Sequence, residues 1–95
     1  MRFLVKAQIP TEDGNRMVQD PDLLKKFEEY ISSVKAEEAY FGPINGHRGL
    51  FFVVNMDSAD MIPGVVEPLF QQFGAVVDVT PVMILDDLKK AFSKT

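Results

Sequence analysis

Residues 50–56, LFFVVNM, are apolar on both of the faces that a β-strand presents to its surroundings. Successive strand residues point to opposite faces, so Phe51 and Val53 share one face while Leu50 and Phe52 lie on the other. Leaving Phe51 and Val53 in water would forgo roughly 3–6 kcal/mol of burial per subunit. An exposed apolar patch in the middle of a sheet normally marks an interface. We therefore expect a central strand, with helices over one face and a second copy of the chain over the other.

Strand patterns occur at four places along the chain. They comprise Arg2–Ile9, which Pro10 ends, and residues 38–41, 50–56 and 75–83. The dipeptide Asn45-Gly46 predicts a hairpin between the second and third strands, because both residues accept positive φ. Pro81 near the end of the fourth strand predicts an edge position, since proline cannot donate to a sheet ladder.

Two helices are expected between these strands, each with an apolar stripe of 3.6-residue period. The first stripe consists of Leu23, Leu24, Phe27, Tyr30, Ile31 and Val34, and the second of Ile62, Val65, Val66, Leu69, Phe70 and Phe73. Residues 11–20 read as a polar loop with room for a short helical turn. Asp20-Pro21 is expected to cap the first helix. Pro68 is expected to kink the second helix and Gly74 to end it.

The order of these elements is β-α-β-β-α-β, two strand–helix–strand units joined by a hairpin. It predicts an α+β fold of the ferredoxin-like type, with a four-stranded antiparallel sheet in the order 4-1-3-2 and both helices on one face. We expect residues 1–95 to form a single domain of common size. Leu85, Leu88 and Phe92 predict a short C-terminal helix at about 85–93 within it.

Composition excludes several kinds of site. The chain has no cysteine and one histidine, which excludes disulfides, thiolate chemistry and a multi-histidine metal site within one chain. Fourteen acidic residues against ten basic ones give a net charge of −4 without basic blocks, which argues against nucleic-acid binding. No segment approaches membrane-spanning length. We expect a cytoplasmic protein that binds neither nucleic acid nor membranes and uses no metal or cofactor.

Four segments carry a resemblance to a known superfamily. They are the opening M-x-F-x-V-K with Pro10 after it, and the stretches NGHRGLFFVVNM, IPGVVEPLFQQF and TPVMILDDL. The three stretches resemble small bacterial proteins of uncharacterised function in the dimeric α+β-barrel superfamily. The opening is similar to that of muconolactone isomerases, and cofactor-free monooxygenases belong to the same superfamily. The resemblance covers nearly the whole chain and implies a homodimer, in which two ferredoxin-like sheets form a dimeric α/β barrel around a shared cavity.

Side chains on the polar side of the strands are expected to line that cavity. The first and fourth strands are antiparallel neighbours in this fold, so Asp78 should lie opposite Lys6 or Gln8. A carboxylate near a lysine in an apolar cavity can act as a base for proton abstraction; the alternative is a structural ion pair. His47 is the third catalytic candidate, because histidine titrates near neutral pH; the alternative is a solvated histidine at a hairpin tip.

Five residues are candidates for binding a small, largely apolar organic ligand. They are Gln8, Tyr40, Phe51, Val53 and Thr80. Catalysis at such a site would be a cofactor-independent isomerisation or oxygenation. The competing interpretation is a non-catalytic dimeric carrier or interaction module whose barrel is filled by its own side chains.

RNA-recognition domains share this element order, and residues 48–55 invite comparison with their third-strand signature, R-G-[FY]-[GA]-F-V-x-[FY]. The segment matches at Arg48, Gly49, Phe52 and Val53 and fails at Leu50, Phe51 and Asn55. Base stacking needs an aromatic platform. Because the polar face of the first strand carries no aromatic platform and the chain is acidic, we expect no RNA binding.

Overall fold

The computed structural model describes residues 1–93, in which a four-stranded antiparallel sheet carries helices on one face. The strands are β1 (Arg2–Ile9), β2 (Glu38–Ile44), β3 (His47–Asn55) and β4 (Val76–Val82), and the helices are α1 (Thr11–Met17), α2 (Leu23–Val34), α3 (Ile62–Phe73) and α4 (Leu85–Phe92). A short 3-10 turn, Ala59–Met61, leads into α3. The sheet order β2-β3-β1-β4 confirms the predicted α+β, ferredoxin-like arrangement.

The hydrophobic core lies between the sheet and helices α2 and α3. The two central strands supply Val5, Ala7, Ile9, Leu50, Phe52 and Val54, and the helices supply Phe27, Tyr30, Val65, Leu69 and Phe73. In β1 and β3 these residues alternate with less buried ones, because only one face of each strand meets the helices. The two stripes predicted from the helical period therefore do face the sheet, although Leu24 and Phe70 at their margins are exposed.

Tyr30 ties the two core helices together. Its hydroxyl donates a hydrogen bond of 2.6 Å to the backbone carbonyl of Val65, and its ring meets that of Phe52 edge-on at 5.7 Å. Burial raises the pKa of the Tyr30 hydroxyl. The group consequently remains a protonated donor, and the Val65 carbonyl inside the core keeps its partner.

Helix α1 occupies most of the segment that was expected to be a polar loop. It has no apolar stripe, but Gly14 is buried, and a Cβ there would lie 2.7 Å from Nη1 of Arg48. The glycine thus lets the helix backbone rest on the Arg48 side chain. A seven-residue helix is marginal alone, so this tertiary contact, invisible to periodicity, accounts for the difference.

The expected capping of the first long helix by Asp20-Pro21 is wrong. Helix α2 begins at Leu23 with Asp22 at its N-cap, and the Asp22 side chain makes no capping bond. Asp20 instead accepts hydrogen bonds from the Asp22 backbone N–H (2.9 Å) and from the Lys26 ammonium (2.5 Å). The hydrogen bond from Lys26 holds the pKa of the Asp20 carboxyl below its usual range, and the same contact raises the pKa of Lys26.

The hairpin between β2 and β3 is tighter than its strands had suggested. Both strands are longer than predicted and leave only Asn45 and Gly46 as the turn, with φ values of 52° and 77°. Two consecutive positive φ values define the hairpin turn that an Asn-Gly pair favours. The predicted hairpin is confirmed, and His47 becomes the first residue of β3.

Helix α3 continues from Ile62 to Phe73 through Pro68, and Gly74 ends it in the left-handed conformation with φ of 59°. The predicted helix end is therefore confirmed. None of the helices within residues 1–93 combines the length and apolarity that a bilayer-spanning segment needs.

Helix α4 follows β4 but adds nothing to the core. None of its described residues is buried, and Leu85 and Phe92 are 65% and 73% exposed. The radius of gyration is 15.1 Å and the longest axis is 54 Å, whereas a compact chain of this length would have a radius of gyration of about 12 Å. Helix α4 therefore lies outside the hydrophobic core and leaves apolar surface in water.

Candidate functional site

The side of the sheet opposite α2 and α3, here called the open face, carries every site residue predicted from the sequence. Cross-strand pairing places these residues in rows that run from β2 to β4. The middle row is Tyr40–Phe51–Lys6–Asp78, the next is Glu38–Val53–Leu4–Thr80, and the row towards the hairpin is Gly42–Gly49–Gln8–Val76. The alternation of β1 and β4 predicted a shared face for Lys6, Gln8, Asp78 and Thr80 only.

Two aromatic rings form an apolar platform in the middle row. Tyr40 and Phe51 stack with ring centroids 5.6 Å apart and planes inclined by 26°. Tyr40 is 54% exposed and Phe51 is half-buried. Val53 and Leu4, both half-buried, continue the apolar surface in the next row. Leu4 was not among the predicted ligand-binding residues, although its place between the polar residues Arg2 and Lys6 gave it the same face.

Lys6 and Asp78 complete the middle row as direct cross-strand neighbours. The register selects Lys6, and not Gln8, as the residue opposite Asp78; Gln8 lies opposite Val76. Both side chains are exposed, and within residues 1–93 no ion pair of 4.0 Å or less joins them. The two charges are adjacent but unengaged, which leaves both available to a third group.

His47 belongs to a small polar cluster at the hairpin end of the open face. Its Nδ1 lies 3.0 Å from the backbone carbonyl of Asn45 and 3.2 Å from Nε2 of Gln8. The Asn45 side-chain amide in turn donates to Oε1 of Gln8 at 3.2 Å. His47 is half-buried and is held by two amides, and no carboxylate in the described part of the chain approaches it within 4.0 Å.

The other end of the open face is closed by an ion pair. The Arg2 guanidinium donates from Nε to Oε1 of Glu37 at 2.9 Å, and both side chains are partly exposed. The backbone N–H of Glu37 also bonds the Val53 carbonyl at 2.8 Å. The pair therefore anchors the segment before β2 beside the apolar rows. It contributes little to stability, because water screens exposed ion pairs.

Two sizeable cavities lie on the helix side of the sheet. One of about 670 Å³ is bounded by α1, α2 and the hairpin, and one of about 650 Å³ lies near the end of α2 and the start of α3. Of the predicted site residues, His47 borders the first cavity, and the other seven border neither: Lys6, Gln8, Tyr40, Phe51, Val53, Asp78 and Thr80. The open face is an exposed surface in one chain, so an enclosed site on it requires a second chain.

Groups that could ligate a metal ion do not assemble in the described residues. No cluster of three or more His, Asp or Glu side chains lies within residues 1–93. The chemistry that the open face offers is that of its aromatic platform with the exposed Lys6 and Asp78 beside it, and with the exposed carboxylate of Glu38 in the next row.

Comparison with solved structures supports the fold assignment. The chain superposes on the 5-chloro-2-hydroxyhydroquinone dehydrochlorinase of Burkholderia phenoliruptrix AC1100, in complex with 2,5-dihydroxybenzoquinone, with a TM-score of 0.56 at 18% identity, over 82% of this chain and 91% of the enzyme. A formyltetrahydrofolate deformylase of Pseudomonas putida KT2440 matches at a TM-score of 0.48 and 14% identity, over 86% of this chain and 29% of that one. No protein-family profile and no curated protein sequence matches the chain. The first similarity is one of fold: a small α+β protein of the ferredoxin-like type.

Proposed function

We propose that the protein is a homodimer whose two open faces meet and bind a small, largely apolar organic molecule between them. The observation that carries this proposal is the apolar surface of the open face, where Phe51 and Val53 remain half-buried and Tyr40 is 54% exposed. Contiguous apolar surface of this kind normally marks an interaction site. A second open face would remove it from water and would enclose the space above the sheet.

The composition of the middle row suggests the class of ligand. The Tyr40–Phe51 stack offers a flat apolar surface, and Lys6 and Asp78 stand beside it with free polar groups. A planar ring compound with one or two polar substituents fits such a surface. The dehydrochlorinase of the same fold was solved with a compound of that kind, 2,5-dihydroxybenzoquinone.

Acid–base catalysis on the bound molecule is a second candidate function, and the register of β1 and β4 favours it. Asp78 would accept a proton from the ligand, and Lys6, directly opposite, would stabilise the negative charge that develops. His47 lies one row beyond Gln8 and would contact the ligand's other end. The reaction would be a cofactor-independent isomerisation or oxygenation. Without such chemistry, the dimer is a carrier or an interaction module.

Sedimentation velocity at micromolar concentration tests the dimer. We expect the natural chain to sediment as a dimer and the Val53→Lys variant as a monomer, because burying a lysine charge in an apolar interface carries a large desolvation penalty even beside a carboxylate. Lysine at position 53 would face Glu38 across the strands, so the fold itself should tolerate it. Gln71→Lys, the same charge change at an exposed position on α3, is the matched control and should remain dimeric. A monomeric natural chain, or a Val53→Lys dimer of unchanged affinity, would refute the proposal.

Structure determination of the dimer then separates the candidate functions. A cavity of several hundred Å³ between the sheets, with Lys6 and Asp78 pointing into it, would support a ligand site. An interface filled by side chains, with no cavity, would support the interaction module instead. For a ligand found there, Asp78→Asn should abolish turnover while binding persists. Unchanged turnover in that variant would remove Asp78 from any catalytic role.

A further inference from the structure

The helix-side cavity of about 670 Å³ combines exposed apolar side chains with a positive charge, and neither is needed for the core or for the open face. It lies beside the hairpin, between helices α1 and α2 and the helix-covered face of β2 and β3. Ile9, Leu50, Phe27, Phe41, Met17 and Pro43 form its apolar lining, and Thr11, Asn15, His47 and Arg48 contribute polar groups. Arg48 is the only arginine or lysine in the lining, and no carboxylate is present in it.

Phe41 shows that the apolar part of this cavity is unfilled. Its side chain is on the helix-covered side of β2, where it meets Phe27 edge-on at 5.0 Å and 61°. Nevertheless Phe41 is 54% exposed, while Ile9 and Leu50 behind it are 2% and 0% exposed. An aromatic ring on the core side of a sheet is normally covered. Helix α2 covers one edge of this ring, and the space over the remainder is free for an apolar group.

Arg48 brings a positive charge to the same cavity without a counter-ion. Its Nη1 donates to Oδ1 of the neutral Asn15 side chain at 3.1 Å, and Gly14 packs against the guanidinium. Within residues 1–93, none of the ion pairs involves Arg48. Asp13, an acidic residue of α1, pairs with Arg16 instead. Helix α1 therefore positions the guanidinium and leaves its charge unneutralised. A guanidinium prefers a carboxylate, which it can bind through two parallel hydrogen bonds.

We propose that this cavity binds a small organic monocarboxylate with an apolar body of ring size. The carboxylate pairs with Arg48 while the body lies against Phe41 and Met17. One cation matches one negative charge, and the cavity volume is in the range of small-molecule sites. Apart from Gly42, Gly49 and His47 at the hairpin end, the lining shares no residue with the open face, and the site does not depend on the proposed dimer.

Isothermal titration with 1-naphthaleneacetate and with its neutral isostere, 1-naphthaleneacetamide, tests this site. We expect the natural chain to bind the carboxylate more tightly than the amide. Arg48→Gln should weaken carboxylate binding roughly 10- to 100-fold, since a hydrogen-bonded charge is lost, and should leave amide binding within about twofold. Arg16→Gln removes the same charge from an exposed position on α1 that pairs with Asp13, and should change neither.

Two further variants keep the test decisive. Phe41→Ala should weaken both ligands to a similar extent, because it removes the shared apolar wall. Gln71→Lys, at an exposed position on α3 outside the cavity lining, should leave both affinities unchanged. Circular dichroism of each variant verifies that it is folded. Equal binding of carboxylate and amide by the natural chain, no measurable binding of the carboxylate, an equal loss of both ligands in Arg48→Gln, or unchanged binding of both in Phe41→Ala would overturn the proposal.

Discussion

The two faces of β3 place similar side chains in opposite environments. Phe52 is 1% exposed beneath α2 and meets Tyr30, whereas its neighbour Phe51 is half-buried on the open face and meets Tyr40. Hydrophobicity alone would send both to the interior. The helices cover only one of the two faces, and the surplus on the other face is the best indication of what this protein does. The helix-covered face of the strand belongs to the core, and the open face keeps apolar surface in contact with water.

The largest expected difference between the two faces is in the free energy of unfolding that Phe52→Ala and Phe51→Ala each remove. Phe52→Ala should lower the free energy of unfolding by about 3–5 kcal/mol, because it opens a cavity in the core. Phe51→Ala should cost about 1–2 kcal/mol at low protein concentration, where only partial burial is lost. Urea unfolding at two protein concentrations measures both values.

The two variants should also differ in how their stability cost depends on protein concentration. If the open faces associate, the cost of Phe51→Ala should rise with protein concentration, because the dimer stabilises the folded chain by mass action. The cost of Phe52→Ala should include a core component that is independent of concentration. A concentration-independent Phe51→Ala effect would contradict an interface on the open face.

The next largest difference is expected between alanine substitutions at two glycines of the open face. Gly42 and Gly49 are cross-strand partners, but a Cβ at Gly49 would lie 2.6 Å from Cδ1 of Ile44 and 3.0 Å from the Ala7 carbonyl, and a Cβ at Gly42 would have no atom within 4 Å. Gly49→Ala should therefore destabilise by about 1–3 kcal/mol through overpacking. Gly42→Ala should be neutral or slightly stabilising, because glycine weakens a strand. Thermal unfolding of the two variants side by side tests this order, and an equal loss in both would contradict it.

The two tyrosines separate the faces by chemistry. Tyr30→Phe should destabilise by about 1–2 kcal/mol, because the Val65 carbonyl loses its donor within the core. Tyr40→Phe on the open face should be close to neutral in the monomer. Chemical unfolding at neutral pH measures both effects, and a larger loss for Tyr40→Phe would contradict the assignment.

The same tyrosine pair predicts an alkaline dependence. Because the folded-state pKa of Tyr30 is raised above its ordinary value of 10.0, its contribution to stability is fully present below that value. The contribution is lost progressively as the pH rises further, since the unfolded chain releases the proton first. Tyr30→Phe should lack this part of the alkaline decline, and Tyr40→Phe should retain it.

The smallest expected effect on stability comes from the exposed Asp20–Lys26 ion pair at the start of α2. The Lys26 contact lowers the folded-state pKa of Asp20 below 3.8, so its contribution to stability is present above that value and disappears as the pH falls through the folded-state pKa. Asp20→Asn should flatten the acid side of the stability–pH profile slightly. High salt should have the same effect on the natural chain, because salt screens exposed pairs. A salt-independent profile would indicate that the pair contributes nothing.

Local patterns predicted the four strands and helices α2, α3 and α4, and they indicated which residues of a strand share a face. The period of two in β1 puts Lys6 and Gln8 on one face of the strand and Val5 and Ala7 on the other. The Asn45-Gly46 pair predicts the hairpin without reference to any long-range contact. Both inferences need only neighbouring residues, since alternation follows from backbone geometry and positive φ from side-chain sterics. The same alternation puts Phe51 and Phe52 on opposite faces of β3.

Only the tertiary structure decided which residues meet across the chain. The register set Lys6 against Asp78, the hairpin brought His47 to Gln8, and α1 packed Gly14 on Arg48. Each of these contacts joins segments that are more than 30 positions apart in the sequence. Contacts at such separations depend on the loops and on the packing of the helices together, so no local period encodes them. The helix-side cavity, with Arg48 at its edge, exists only because those distant segments fold against one another.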